Sequence, residues 1–205
     1  MLDTLWSGAG GPAHPELLSR NAYVSMIETA QNVADRYRIT REEIDEFAVR
    51  SHRHAAQARD SGRLAQEIVP VTLTATRTSP ARLFEHDETI RDDTTTESLA
   101  KLVAQPGTTQ MTAGNSTPLS DGSSAVLIAG EEVVAELDAA PLARILGSAV
   151  HALEPSLMCI APAWAMTKVI KTAGIDPDEI GVWEVHEAFA AQALGVLREL
   201  AARLD

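Results

Sequence analysis

Apolar residues recur every three or four positions in two stretches of the N-terminal third of the chain. The first stretch runs from Met26 to about Tyr37 and opens with the motif Ser25-Met-Ile-Glu28. The second ends near Arg59 and opens with the motif Thr40-Arg-Glu-Glu43. This Ser/Thr-x-x-Glu spacing is that of a capping box, in which the two side chains satisfy free backbone N–H groups at the start of a helix. The pattern predicts two amphipathic helices. Their apolar faces comprise Ala30, Val33, Ala34 and Tyr37 in the first and Ile44, Phe47, Ala48, Ser51 and Ala55 in the second.

Runs of apolar and β-branched residues predict strands among further helices. Strands are expected over 68–74, 142–150 and 182–185, and the run 123–129 fits either a strand or a buried helix. Helices are expected over 96–102, 131–137 and 162–173, with a long one from His186 to the end of the sequence. Polar composition predicts loops over the first two dozen residues and over 75–95. This alternation indicates an α/β protein with a largely parallel sheet.

The predicted strands are too few for a complete sheet. A sheet of so few strands would leave edges unpaired and apolar helix faces uncovered. The helical pattern also continues through Leu200 and Leu204, the last apolar positions of the sequence. We therefore expect the 205 residues to belong to a larger α/β domain.

Composition narrows the class of protein. With 17 Lys+Arg against 29 Asp+Glu, the formal charge of −12 argues against nucleic acid or an anionic membrane as the main partner. No apolar run reaches the roughly 18–20 residues of a membrane span, and the first residues lack the pattern of a signal peptide. The single cysteine, Cys159, excludes an internal disulfide and a multi-thiolate metal site. Together these features indicate a cytoplasmic protein.

His186 is the strongest candidate for a chemical role. It lies where a predicted strand runs directly into a predicted helix, next to Glu187. Such junctions often carry functional groups in α/β proteins. An imidazole there can donate a hydrogen bond to a substrate oxyanion. The alternative is that His186 only caps the helix.

The remaining histidines and the cysteine carry weaker signals. Cys159 lies among apolar residues without a nearby cation, which predicts a buried and unreactive thiol. His52 and His54 are two positions apart on a helix and therefore point to different faces. We interpret both as solvated surface residues, and His86 as part of a charged loop, in each case rather than as metal ligands.

Two loops carry further candidates. Arg82 and Arg91 lie in the loop over 75–95 and can form bidentate contacts to a phosphate, although two aspartates follow Arg91 directly. The second loop, 114–118, contains Ser116 and Thr117 without a recognisable base beside them. We therefore interpret that loop as a turn rather than as a source of an acyl nucleophile.

Four segments resemble the thiolase family. The segment 112–126 (TAGNSTPLSDGSSAV) resembles the family's T-A-G-N-x-S stretch, and 184–192 (EVHEAFAAQ) resembles its (N/H)-E-A-F-A-A-Q box. The segments 97–102 and 40–48 match two more stretches, and all four occur in family order. The histidine form of the box, preceded by Pro162-Ala-Trp-Ala165, is most similar to the 3-ketoacyl-CoA thiolases of fatty-acid oxidation.

The resemblance implies a fold and an activity. Thiolases consist of two similar halves in an α-β-α-β-α sandwich with a loop domain over CoA, and they cleave 3-ketoacyl-CoA with free CoA into acetyl-CoA and a shortened acyl-CoA. For this chain it implies an α/β, incomplete thiolase fold. Residues 1–105 would be the loop domain and its attachments, 106–137 the end of the N-terminal half, and 138–205 the start of the C-terminal half.

The resemblance also implies partners. CoA and 3-ketoacyl-CoA are the substrates, with no separate cofactor and no metal. Full-length members of the family are homo-oligomers, and those of oxidation complexes associate with a hydratase/dehydrogenase subunit.

Site residues follow from the same resemblance. His186 matches the Asn/His position of the oxyanion hole, and Phe189 matches an aromatic residue that lines the pocket. The remaining matches concern CoA: Met26 near the pantetheine arm, Arg91 and Ser98 at the nucleotide, and Thr117 near the pantetheine amides. In the turn that holds Thr117, Pro118 and Ser120 depart from the family pattern.

The catalytic cysteine and histidine of the family have no counterpart in these 205 residues. Family members take the nucleophile from a segment before the matched region, and the base and a second cysteine from Gly-His-Pro and Cys-x-Gly segments after it. Thiolysis needs a thiolate and a base, so we expect this chain alone to be inactive. Three interpretations stay open: an internal fragment of a degradative thiolase, one half of a split thiolase, and a non-catalytic subunit that binds CoA or acyl-CoA or serves assembly.

Overall fold

Helices make up most of the regular structure in residues 13–204, the part of the chain that the computed structural model describes. The α-helices are α1 (Pro15–Ser19), α2 (Met26–Tyr37), α3 (Arg41–Asp60), α4 (Thr96–Ala100), α5 (Glu131–Glu136), α6 (Ala161–Ala173) and α7 (Ala190–Leu204). Short 3-10 helices span Leu64–Gln66, Pro155–Ile160 and Pro177–Glu179. Strands β1 (Val71–Leu73) and β2 (Arg82–Phe84) form an antiparallel pair in which Val71 lies opposite Phe84 and Leu73 opposite Arg82. Within residues 13–204, no helix is long and apolar enough to cross a membrane.

The helix starts agree with the predicted capping boxes. Ser25 Oγ accepts a hydrogen bond from the Glu28 backbone at 3.3 Å, and Thr40 Oγ1 accepts one from Glu43 at 3.2 Å. Each glutamate in turn accepts a hydrogen bond from the backbone N–H of its cap residue. Helix α6 ends at Gly174, whose φ of +67° is easily reached only without a side chain. The predicted bounds of α2 and α6 are therefore confirmed within one residue.

The core lies where α7 packs against α2 and α3. A first buried cluster joins these helices to α4 and to the chain around residues 111 and 189. A second cluster joins α2 and α7 to α6 and the 3-10 helix before it, through Val33, Cys159, Ile160, Ala163, Val196 and Leu200. Arg198 of α7 ties the helices together, because its guanidinium donates to the Glu43 carboxylate and, at 2.7 Å, to the backbone oxygen of Tyr37.

The strands predicted over 142–150 and 182–185 are wrong for residues 13–204. These segments contain no helix or strand, and neither does 123–129, which is exposed throughout. Apolar side chains lie open along them, with Leu142 at 104% and Val126 at 85% relative exposure. A strand exists only through hydrogen bonds to a neighbouring strand, and none of the described residues supplies that neighbour. Within these three segments, the alternation of inward and outward side chains expected of a strand remains only around Trp183 and Val185, which pack against the second cluster.

Three smaller expectations also change. The predicted loop over 75–95 contains β2, which pairs with β1 across a turn. The predicted N-terminal loop contains α1, and its residues 1–12 lie outside the described part of the chain. The last helix begins at Ala190 and not at His186, because Ala188 and Phe189 pair with residues 116–117 instead.

Candidate functional site

Two distant segments of the sequence meet in front of α7. The backbone N–H of Thr117 donates to the Ala188 oxygen at 3.0 Å, and the N–H of Ala190 donates to the Asn115 oxygen at 3.1 Å. Between them, Ser116 and Phe189 form an isolated antiparallel bridge. We call this contact the junction, defined by residues 115–117 and 188–190. It brings the T-A-G-N-x-S stretch against the H-E-A-F box.

The side chain of Asn115 fastens the junction to α3. This side chain is 3% exposed, and its Oδ1 accepts a hydrogen bond from the Thr112 backbone at 2.8 Å. Its Nδ2 donates to Asp45 Oδ1 at 2.9 Å and to the Gln110 oxygen at 3.1 Å. Asp45 is also 3% exposed and pairs with Arg41 Nε at 2.7 Å. A buried polar group needs such complete pairing, so these bonds hold the turn in one position.

A cleft of about 200 Å³ opens beside the junction. Its wall includes Glu187, whose Oε2 accepts a hydrogen bond from Ser51 Oγ of α3 at 2.5 Å. The buried hydroxyl oxygen of Ser116 also lies here and has no hydrogen-bond partner among residues 13–204. Helix α3, the loop around residue 89, the turn and the start of α7 line the cleft, through Phe47, Ala48, Ser51, His52, Ala55, Asp87, Thr89, Ile90, Gly114, Asn115, Ser116, Thr117, Pro118, Glu187 and Ala190.

His52 differs from its expected role as a solvated residue. It is half-buried, and its Nδ1 accepts a hydrogen bond from the Arg91 backbone at 3.3 Å. Burial, and then the Arg91 charge, lower the pKa of the imidazole below its ordinary value. His54 is exposed, as expected. His52 therefore helps to anchor the loop that carries Arg91.

His186 lies on the surface, two residues before the junction. Its side chain is exposed, and the first residue of α7 comes four positions later at Ala190. The alternative that His186 caps the helix is therefore wrong. Phe189 is 9% exposed and belongs to the first core cluster. Thr117 is exposed and faces the cleft.

The other three candidate residues lie elsewhere on the surface. Met26 is the first residue of α2 and is 40% exposed. Arg91 is exposed and follows the cleft residue Ile90. The Ser98 hydroxyl already caps α4, since it accepts a hydrogen bond from Thr95 N at 3.0 Å and donates to Thr95 O at 2.8 Å. No hydrogen bond within residues 13–204 joins any of the three side chains to the junction.

Cys159 behaves as the sequence predicts. Its thiol is 8% exposed, and its Sγ lies 2.9 Å from Thr29 Oγ1. Burial raises the pKa of the thiol, and the contact with Thr29 offsets only part of that increase. A protonated, buried thiol is a poor nucleophile.

Sequence reasoning missed the α3 residues that hold the junction, Asp45 and Ser51. Asp45 has one local signal, because Arg41 precedes it by four residues and such pairs face each other on a helix. Ser51 has no comparable signal, since its partner Glu187 lies 136 positions away.

Comparison with protein-family models gives two matches. The model described as "Thiolase, N-terminal domain" matches residues 13–132, and "Thiolase, C-terminal domain" matches residues 139–205.

Individual relatives agree with the family models. The chain is 45% identical over 177 residues to the 3-oxoadipyl-CoA/3-oxo-5,6-dehydrosuberyl-CoA thiolase of Escherichia coli K12, covering 86% of this chain and 44% of the relative. It is 40% identical over 188 residues to a 3-ketoacyl-CoA thiolase of Bacillus subtilis, covering 87% of this chain and 48% of that one. The crystal structure of the Bacillus anthracis acetyl-CoA acetyltransferase is 38% identical, with a TM-score of 0.85 over 97% of this chain and 48% of that chain.

These comparisons establish the fold and the extent of the match. The chain has an incomplete α/β thiolase fold, as predicted, in which the helices and the junction are present. It spans less than half the length of the relatives that it matches.

Proposed function

The chain belongs to the thiolase family, and we propose that it supplies an oxyanion-stabilising group and part of the CoA surface to a thiolytic acyltransferase. The reaction is cleavage of a 3-ketoacyl-CoA by free CoA into acetyl-CoA and a shortened acyl-CoA. The single observation that carries the proposal is the junction, because it joins two family motifs through hydrogen bonds of 3.0 and 3.1 Å.

The geometry supports a role for His186 in stabilising negative charge. The residue leads directly into the junction, whose backbone is fixed, and its imidazole is open to solvent. A donor aimed at the thioester oxygen stabilises the charge that develops there when a thiolate attacks or a carbanion leaves. Such a donor needs a fixed backbone, because its value depends on being oriented before the reaction.

The proposed CoA surface comprises the five residues that match CoA-binding or pocket positions of the family. Thr117, at the cleft, would contact the pantetheine amides, with Met26 alongside the pantetheine arm and Phe189 behind the acyl pocket. Arg91 would meet a phosphate of the nucleotide, since guanidinium groups bind phosphates through two parallel hydrogen bonds. Ser98 would lie beside the nucleotide at its place on α4, while its hydroxyl stays hydrogen-bonded to the Thr95 backbone.

We propose that these 205 residues do not perform thiolysis alone. Their single cysteine, Cys159, is buried with a raised thiol pKa and is therefore unsuited to be the acylated nucleophile. The nucleophilic cysteine and the base histidine would come from thiolase segments outside these 205 residues. We propose the same division of the chain as the resemblance implies: a loop domain (1–105), the end of one thiolase half (106–137) and the start of the other half (138–205). A cytoplasmic location is part of the same proposal.

A complementation assay tests this function. The chain is mixed or co-expressed with a second chain that carries the nucleophilic cysteine and the base histidine of a thiolase, and thiolysis is followed with a short 3-ketoacyl-CoA and with 3-oxoadipyl-CoA. We expect no turnover from either chain alone and turnover from the pair.

Variants assign the chemistry within that pair. Removing one oxyanion donor typically costs about 100- to 1,000-fold in kcat, so we expect a loss of this size for His186→Ala. His54→Ala, a change at an exposed histidine of α3, is the matched control and should leave turnover unchanged. An assembled pair without turnover would contradict the thiolytic function, and CoA binding by that pair would then favour the non-catalytic alternative.

A further inference from the structure

We propose that Ser51 and Glu187 are positioning residues for His186. The hydrogen bond from the Ser51 hydroxyl to the Glu187 carboxylate, at 2.5 Å, fixes the backbone next to His186 against α3. The inference rests on the proposed function only in assigning His186 as the group that needs positioning.

The chain on the two sides of His186 differs in how it is held. On the C-terminal side, Ala188 and Ala190 are fixed by backbone hydrogen bonds to the turn. On the N-terminal side, residues 180–185 contain no helix or strand. Val185 packs against the second core cluster, whereas Glu187, which lies between His186 and the junction, is exposed and is held by its contact with Ser51. Without that contact, no side-chain hydrogen bond among residues 13–204 holds the exposed pair His186 and Glu187.

Helix α3 is a suitable support because it holds both the turn of the junction and Glu187, the residue that precedes the other junction segment. It is 20 residues long and buries Ile44, Phe47 and Ala48 in the first core cluster. Through Asp45 it binds Asn115 of the turn, and through Ser51 it binds Glu187. One rigid element thus sets the position of the turn and of the segment that carries His186.

The contact is placed to orient a group rather than to stabilise the fold. Glu187 is exposed and Ser51 is only half-buried, so water replaces either partner at small cost to global stability. Hydrogen bonds to a carboxylate are short and directional, which suits them to fixing a backbone. Loss of the bond should therefore loosen residues 186–187 while the helical core remains folded.

15N relaxation of the backbone amides of the 205-residue chain tests the inference without any activity. We expect Ser51→Ala and Glu187→Ala to lower the order parameters of the His186 and Glu187 amides from the range of rigid backbone, about 0.85, toward that of flexible chain, below about 0.6. Ser51→Thr retains the hydroxyl and should restore both values. Glu184→Ala removes an exposed acid from the same segment and is the matched control.

The outcomes separate a positioning role from a structural one. Unchanged order parameters in Ser51→Ala, an equal decrease in Glu184→Ala, or a decrease accompanied by a loss of global stability would each overturn the inference. In the complemented enzyme, Ser51→Ala should lower kcat about fivefold with KM unchanged, and Ser51→Thr should restore it. Absence of all thiolysis would remove the proposed function, whereas unchanged order parameters at His186 and Glu187 would remove only the positioning role.

Discussion

Asn115→Ala is the substitution that most directly tests how the turn is held. The change removes three hydrogen bonds, to Thr112 N, Asp45 Oδ1 and the Gln110 oxygen. Thr112 is 0% exposed, so its N–H is left buried without the acceptor that Asn115 supplies. An orphaned buried donor costs about 1–3 kcal/mol.

The loss of the other two hydrogen bonds adds a smaller cost. Asp45 keeps Arg41 as a partner at 2.7 Å, and the cost at Asp45 and Gln110 together is about 1 kcal/mol. We therefore expect the free energy of unfolding to fall by about 3 kcal/mol. With a urea dependence of about 2 kcal/mol per molar, the unfolding midpoint should fall by about 1.5 M.

Urea titration followed by tryptophan fluorescence measures this change, since Trp164 and Trp183 pack against the second core cluster. Ser120→Ala is the control, because the exposed Ser120 makes one weak hydrogen bond, to Pro118 O at 3.4 Å, and its midpoint should stay within about 0.2 M of the unmodified chain. A fall of less than about 0.3 M in Asn115→Ala would refute the assignment of Asn115 as the residue that holds the turn.

Three further predictions concern the helical core. Burial, and then the hydrogen bond to Glu199, raise the pKa of Tyr37 to about 12, so the stability that Tyr37 contributes is complete below pH 10 and is lost between pH 10 and 12. Tyr37→Phe should abolish that pH dependence of the unfolding midpoint, and its persistence would contradict the assignment. Gly195→Ala would place a Cβ 2.3 Å from Val33 Cγ1, and overpacking of about 1–3 kcal/mol should outweigh the helix propensity gained; a raised melting temperature would count against this close approach. Cys159 should react with a thiol reagent more slowly in the folded chain than in urea, because burial shields the thiol and raises its pKa, and equal rates would show that the thiol is not shielded.

Local signals in the sequence were sufficient to predict the helices that begin or end with a recognisable motif. Ser25 and Thr40 each satisfy a backbone N–H three residues away, and Gly174 adopts a backbone conformation that depends on its own lack of a Cβ. These interactions are complete within one or two turns of chain. They therefore need no knowledge of the rest of the fold.

The candidate site was only partly predictable. The motifs around Asn115 and His186 are visible in the sequence through their resemblance to thiolases, but their contact joins residues more than 70 positions apart. Asp45, Ser51 and Glu187 take their importance from partners that lie far away in the sequence. Helical periodicity could not reveal these partners, since it places Ser51 on the apolar face of the second helix and gives no role to Asp45.

The sequence by itself determined where α2, α3 and α6 begin and end, and its resemblance to thiolases indicated the family to which the chain belongs. Only the tertiary structure decided that 142–150 and 182–185 lack strand pairing in residues 13–204, and that α3 holds both the turn at Asn115 and Glu187 beside His186. The physical reason is the range of the interactions involved. A helix satisfies its backbone within a few residues, whereas a strand or a binding site depends on groups that folding brings from elsewhere in the chain.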